Sequence, residues 1–140
     1  MTKDVLVTIK GMQFDGESGD TIETVNFAQY YLKNDGHYVI YDEVTEGESQ
    51  TTKNILKLKG KLFELTKRGL VNVHMIFEEG QKTMTNYSTP FGDILMGMDT
   101  RKVEMTQVNE KKLQVQVEYA LEVNYEFLAD CQIVIDIEAR

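Results

Sequence analysis

The run LQVQVEYALEVNYEF, residues 113–127, decides the fold. Every odd position in it is apolar: Leu113, Val115, Val117, Tyr119, Leu121, Val123, Tyr125 and Phe127. Gln114, Gln116, Glu118, Ala120, Glu122, Asn124 and Glu126 stand between them. Consecutive side chains of an extended strand point to opposite faces, so this pattern buries one face and wets the other. Wound into a helix, the same residues would spread around the whole circumference. The segment reads as strand.

The same period continues outward from that run. Val5, Val7 and Ile9 alternate with Leu6, Thr8 and Lys10; Val71, Val73, Met75 and Phe77 with Asn72, His74, Ile76 and Glu78; Ile133, Ile135 and Ile137 with Gln132, Val134 and Asp136. Turn residues separate the runs at Asp15-Gly16, Gly19-Asp20, Asn34-Asp35-Gly36, Glu46-Gly47, Arg68-Gly69 and Glu79-Gly80. Asn, Asp and Gly tolerate the positive φ of tight hairpins, which is why they punctuate a meander. About ten short strands result, too closely spaced for the crossovers that parallel pairing needs, so the pairing is expected to be antiparallel.

Two runs change phase midway. Val25 and Phe27 are odd, then Ala28, Tyr30 and Leu32 are even; Ile94, Met96 and Met98 are even, then Val103 and Met105 are odd. A β-bulge in each strand would shift the alternation this way and bend the strand. Bent strands let a sheet curl until it closes, and closure removes exposed edges. The expectation is therefore an all-β chain: one antiparallel meander barrel of about eight to ten strands, a single domain over residues 1–140, rather than a two-layer sandwich. No internal repeat, low-complexity segment or linker interrupts it, and Pro90 falls in a loop.

Composition narrows the class of function. The chain has 140 residues, 41% of them hydrophobic and 27% charged, a globular composition. Its 15 Lys and Arg against 23 Asp and Glu give a net charge of −8. That balance argues against nucleic acid, whose binding gains from a basic surface that displaces counterions, and against anionic membrane. No run of about 18 apolar residues suggests a membrane-spanning helix, and the start lacks the pattern of a secretory signal. Cys131 stands alone, which suits a reducing compartment.

The usual catalytic and metal patterns do not assemble. His37 and His74 lie on different expected strands with no spacing for a metal, and His74 falls on the polar side of its strand. Cys131 has no base near it in sequence and reads as a structural cysteine. The acidic stretch Asp42-Glu43-Val44-Thr45-Glu46-Gly47-Glu48 lacks the order of a calcium loop and reads as a solvated hairpin tip. Ser18 lacks the setting of a nucleophile elbow, and no phosphate-cradling glycine loop occurs. Methionine supply is more suggestive. Met75, Met84, Met96, Met98 and Met105, with Phe63, Phe77, Phe91, Tyr87 and Tyr119, would fill a barrel core or line a cavity inside it.

Several motifs together resemble the YwiB-like family of small bacterial β-barrels. They are Tyr41-x-Glu43 followed by Gly47 and Thr52, Lys57 between Leu56 and Leu58, Gly69 after Lys67-Arg68, the run Tyr87-Ser88-Thr89-Pro90-Phe91-Gly92, Thr100, and Tyr119-Ala120-Leu121. The resemblance spans Val5 to Ile137, and the Tyr-x-Thr-Pro-aromatic-Gly run is its most specific part. Two positions depart from the family pattern. Asn124-Tyr125 stands where an Asn-Gly turn is expected, leaving the last hairpin to turn there or at Ala129-Asp130, and the family's Arg before the glycine corresponds to Lys67 rather than to Arg68. The resemblance implies a calycin-like, lipocalin-like barrel in a cytoplasmic bacterial protein and supplies no activity.

These readings lead to an expected function: a barrel without enzymatic activity or cofactor that binds a small apolar or amphipathic ligand in its interior or at its mouth. A few polar groups in such a pocket orient a mostly apolar guest. The residues placed there by expectation are Tyr41, Glu43, Lys57, Thr89 and Tyr119. Lys57 has the opposite parity to Leu56 and Leu58 and so points outward on that count. In the plainer reading, Thr89-Pro90-Phe91-Gly92 is a rigid turn and both tyrosines are core residues. The alternative is a homodimerising or interaction barrel with no ligand cavity.

Overall fold

Alternation and turn chemistry combine here into ten antiparallel strands. The computed structural model describes residues 3–15, 18–44 and 46–140, with backbone alone from 12 to 15 and from 18 to 20. The strands are β1 (Asp4–Asp15), β2 (Ser18–Lys33), β3 (Gly36–Val44), β4 (Thr51–Lys59), β5 (Leu62–Arg68), β6 (Val73–Glu78), β7 (Lys82–Thr89), β8 (Gly92–Asn109), β9 (Lys112–Val123) and β10 (Glu126–Ala139). They form one sheet in the order β6-β5-β4-β3-β2-β1-β10-β9-β8-β7. Each strand pairs with its chain neighbours except across β6 and β7, and β1 pairs with β10 from Val5↔Ala139 to Phe14↔Asp130. The result is a nearly closed meander barrel.

The remaining seam lies between β6 and β7. Among the described residues it carries no continuous ladder; the bridge Asn72↔Ser88 near one end, a hydrogen bond from the Thr83 hydroxyl to the Ile76 carbonyl, and the turn bond from Gln81 N to Glu78 O at 2.9 Å join its sides. The connecting turn is tied to β8 instead. Gly80 N donates to Thr100 O at 2.9 Å, Thr100 N to Gln81 O at 3.0 Å, and Val103 N to a Glu79 carboxylate oxygen at 3.0 Å.

The core follows from strand parity. Val5, Val7, Ile135, Ile137, Val115, Val117, Val39, Leu56, Phe77 and Val103 are all fully buried. Each such side chain contributes roughly 1.5–3 kcal/mol when removed from water. Phe63 and Phe77 stack with centroids 5.6 Å apart, and Phe77 meets the Tyr119 ring edge-on at 4.8 Å. Val5, Val7 and Ile137 lie where β1 begins and β10 ends, and the buried core is centred toward that end of the barrel.

Several sequence expectations need correction. The run 113–127 is not one strand, because the chain turns at Asn124-Tyr125 with φ of 51° and 68° and returns as β10. This left-handed pair makes a two-residue hairpin without the usual glycine. The last hairpin thus turns at Asn124-Tyr125, and Ala129-Asp130 lies within β10. Gly19 and Asp20 are no turn but are paired within β2, opposite Phe14 and Gln13. The turn expected at Asp15-Gly16 and the acidic tip around Thr45 fall partly outside the described residues, as does the segment flanking Ser18 at Gly16-Glu17. Nor are all strands short: β2 has 16 residues and β8 has 18.

The two phase changes have different causes. In β8 the register against β9 shifts between Thr100 and Lys102, a bulge at Arg101 that turns Met98 and Val103 to the same side. β2 has no bulge: its pairing with β1 runs unbroken from Asp4↔Gln29 to Asp15↔Ser18. Val25 and Phe27 simply face solvent, 55% and 69% exposed, while the even row Ala28 and Tyr30 is buried. One glycine is required by close approach. A Cβ on Gly69 would stand 2.3 Å from the Thr51 carbonyl oxygen, so only glycine lets the loop after β5 lie against β4.

Candidate functional site

At the opposite end from the packed core, inward-facing side chains do not meet across the barrel. They leave a cavity of about 460 Å³, within the range of roughly 300–1,000 Å³ typical of small-molecule sites. Ile9, Leu56, Phe63, Leu65, Met75, Ile133 and Ile135 form its apolar wall, and it opens past Thr24 and the 71% exposed Ile22 of β2. The barrel is therefore hollow at one end.

A polar cluster is set into that wall by three adjacent strands. Register places Tyr41 of β3 opposite Asn54 of β4, and Asn54 opposite Lys67 of β5. Lys67 Nζ donates to Glu43 Oε1 at 2.8 Å, and Asn54 Nδ2 donates to the same oxygen at 3.0 Å and to the Thr52 carbonyl at 3.2 Å. Burial pushes the Glu43 carboxyl up, but the Lys67 hydrogen bond and charge, with the Asn54 amide, outweigh it and hold the group below its ordinary value. Tyr41 is pushed up by burial and then by the Glu43 charge, so its phenol stays neutral. The cluster is a neutralised ion pair with hydrogen-bonding neighbours, facing hydrocarbon.

Tyr119 stands across the cavity, on β9, opposite Cys131 of β10. Burial, then the Cys131 thiol beside it, pushes the Tyr119 phenol up. The Cys131 thiol is itself raised, chiefly by burial, which keeps thiolate scarce and the sulfur a poor nucleophile. His37 lies elsewhere, its Nδ1 2.5 Å from the Tyr30 hydroxyl and its pKa lowered by burial. His74 is on the outside, 3.0 Å from Glu64.

Of the five residues expected at a site, three meet here: Tyr41, Glu43 and Tyr119. Lys57 and Thr89 do not. Lys57 lies in an outer row between Tyr38 and Glu64, 3.6 Å from the Glu64 carboxylate and 5.8 Å from the centre of the Tyr38 ring. Its parity, opposite to buried Leu56 and Leu58, decides that. The Thr89 hydroxyl accepts from Phe91 N at 3.1 Å and donates to Gly92 O at 2.7 Å, closing the turn around Pro90. Phe91 at its tip is fully exposed.

Asn54 and Lys67, central to the cluster, were not expected there. The signal for each was parity with apolar neighbours: Thr52-Asn54-Leu56-Leu58 on one row and Phe63-Leu65-Lys67 on the other. Among the methionines whose side chains are described, only Met75 reaches the cavity wall. Met98 is buried in the core, whereas Met84 and Met105 are 42% and 37% exposed.

A model of a domain of unknown function, DUF1934, matches residues 7–135, from within β1 to within β10. The chain belongs to this family. A curated relative is the uncharacterised β-barrel protein YwiB of Bacillus subtilis (strain 168), 23% identical over 122 residues that span 87% of this chain and 84% of that protein. The crystal structure of the Bacillus subtilis YwiB protein superposes with a TM-score of 0.85 at 20% identity, covering 99% of this chain and 92% of that one. At that identity the likeness establishes the shared barrel. The DUF1934 fold is thus the one expected from strand parity, and the family brings no activity with it.

Proposed function

We propose that this DUF1934 chain is a non-catalytic binding protein that takes a small amphipathic molecule into the open end of its barrel. The observation that carries the reading is the cavity of about 460 Å³ with a largely apolar wall into which the hydrogen-bonded cluster Glu43, Asn54 and Lys67 is set. That combination, hydrocarbon contact with a few convergent polar groups, is how pockets orient a mostly apolar guest. In this reading no cofactor and no nucleic acid is involved, consistent with the charge of −8.

A cytoplasmic setting goes with the reading. No helix among the described residues is long and apolar enough to cross a membrane. Membrane-spanning barrels turn polar residues inward and apolar ones to lipid. Here the fully buried inward rows are Val, Ile, Leu and Phe, and the outer rows carry ion pairs such as Lys57–Glu64 and Lys82–Glu122.

Thr24 offers the test, because it lines the mouth yet lies exposed on β2. Thr24→Trp is expected to plug the entrance and abolish binding of a medium-chain alcohol, read by calorimetry, while leaving the melting temperature within a few degrees of wild type. Native mass spectrometry of freshly purified protein is expected to show a retained small molecule that this variant lacks. Unchanged binding in the variant would refute the site.

A second reading rests on the outer face of β2, where Val25 and Phe27 are exposed and Arg140 lies 4.2 Å over the Phe27 ring. That face would serve a homodimer contact. Light scattering across a concentration series, with Phe27→Glu as the control, decides between a monomer and a dimer.

A further inference from the structure

Asn54 is fully buried at the cavity wall, between Tyr41 of β3 and Lys67 of β5. Its amide has one possible orientation. Nδ2 faces two acceptors, Glu43 Oε1 at 3.0 Å and the Thr52 carbonyl at 3.2 Å, and a flip would set oxygen against oxygen at both. Oδ1 is then left over, buried and without a hydrogen-bond partner among the described residues. Beside it, Lys67 and Glu43 cancel each other's charge across 2.8 Å.

We propose, on the reading that the cavity takes an amphipathic ligand, that the ligand's polar end is an uncharged hydrogen-bond donor, a hydroxyl or an amide N–H, received by Asn54 Oδ1. A buried acceptor without a donor is penalised, so a guest that supplies the donor gains what an isosteric guest without one cannot. A carboxylate is the wrong partner: it would bring acceptors against Asn54 Oδ1 and negative charge toward Glu43, whose Lys67 counter-charge is already engaged. The apolar wall of Leu65, Met75 and Ile133 takes the hydrocarbon body.

Decanol, decyl methyl ether and decanoate share a chain and differ only at the polar end. Titrated into the full chain by calorimetry, decanol is expected to bind at least tenfold more tightly than the ether, about 1.4 kcal/mol, and more tightly than decanoate. In NMR spectra decanol is expected to shift both the Met75 methyl and the Asn54 side-chain amide. Equal affinity for decanol and ether, or a preference for decanoate, would overturn the donor assignment while a shifted Met75 methyl kept the cavity reading. If none of the three moved the Met75 methyl, both would fall. Asn54→Leu is expected to level the decanol and ether affinities; a preference that survived it would remove Asn54 from the assignment, and the wild-type comparison stands if that variant does not fold.

Discussion

Glu43 illustrates how one side chain ties stability to the cavity. Its carboxyl is held below the ordinary value of 4.5 in the folded chain, so folding favours the charged form. The stability it contributes is fully present above the unfolded value and is lost as pH falls through the lower, folded one. Glu43→Gln is therefore expected to flatten the acid limb of a melting-temperature profile below about pH 4.5. At neutral pH its cost is on the order of 1 kcal/mol, since the pair is partly exposed. Lys67→Met should act oppositely on the group itself. With burial unopposed by the ammonium, the Glu43 carboxyl is expected to titrate higher than in the wild type by carboxyl NMR. A Glu43 titration unchanged in Lys67→Met would mean the ion pair does not hold it.

At this scale the sequence was only partly legible. Tyr41, Glu43 and Tyr119 belong to the motifs, and strand parity turns all three toward the cavity. For Lys57 motif and parity disagree, and parity decides: it lies in the outer row with Tyr38 and Glu64. Asn54 and Lys67 are not legible as site residues in the sequence, because a polar residue on an inward row resembles a solvated one until the neighbouring strands supply its partners.

Among the elements, the β9–β10 hairpin shows where period two misleads. Apolar residues continue at odd positions through the turn, so alternation alone carries the strand across it. Only the backbone reversal at Asn124-Tyr125 divides the run. Tyr125 holds φ of 68° while 76% exposed, so it pays for a left-handed conformation with little packing in return. An L-residue there costs roughly 1–2 kcal/mol, against roughly 0.5–1 kcal/mol for the unfolded-state freedom of glycine. Tyr125→Gly is expected to stabilise the chain by about 0.5–1 kcal/mol in urea unfolding. A destabilised variant would mean the tyrosine ring makes contacts that outweigh the strain.

β2 gives the complementary lesson. Its outward Val25 and Phe27 imitated an inward row, while Thr24 and Asn26, which line the cavity, looked like an outer one. A hollow barrel end relaxes the demand for apolar lining, so hydrophobicity loses its value as a marker of inside.

For the whole molecule, the β1–β10 ladder of ten paired positions closes the sheet, and the β6–β7 seam is its weakest join. Local opening should start there, where few backbone bonds cross. Hydrogen exchange is expected to be slowest in β1, β9 and β10 and fastest in β6 and β7. Thr83→Val, which removes the bond to the Ile76 carbonyl, is expected to speed exchange in β6 further, at a global cost of about 1 kcal/mol or less. Uniform protection around the barrel would contradict the seam.

By itself, the sequence determined that the chain forms antiparallel strands with a buried and a wet face, joined by tight turns and closed into a barrel. Those properties follow from local sterics and the two-residue period, which every segment carries within itself. Tertiary structure alone decided which end is solid and which hollow, and which polar side chains converge there. Such outcomes depend on volumes and partners contributed by strands distant in sequence: Asn54, Glu43 and Lys67 become a site only when register sets β3, β4 and β5 side by side.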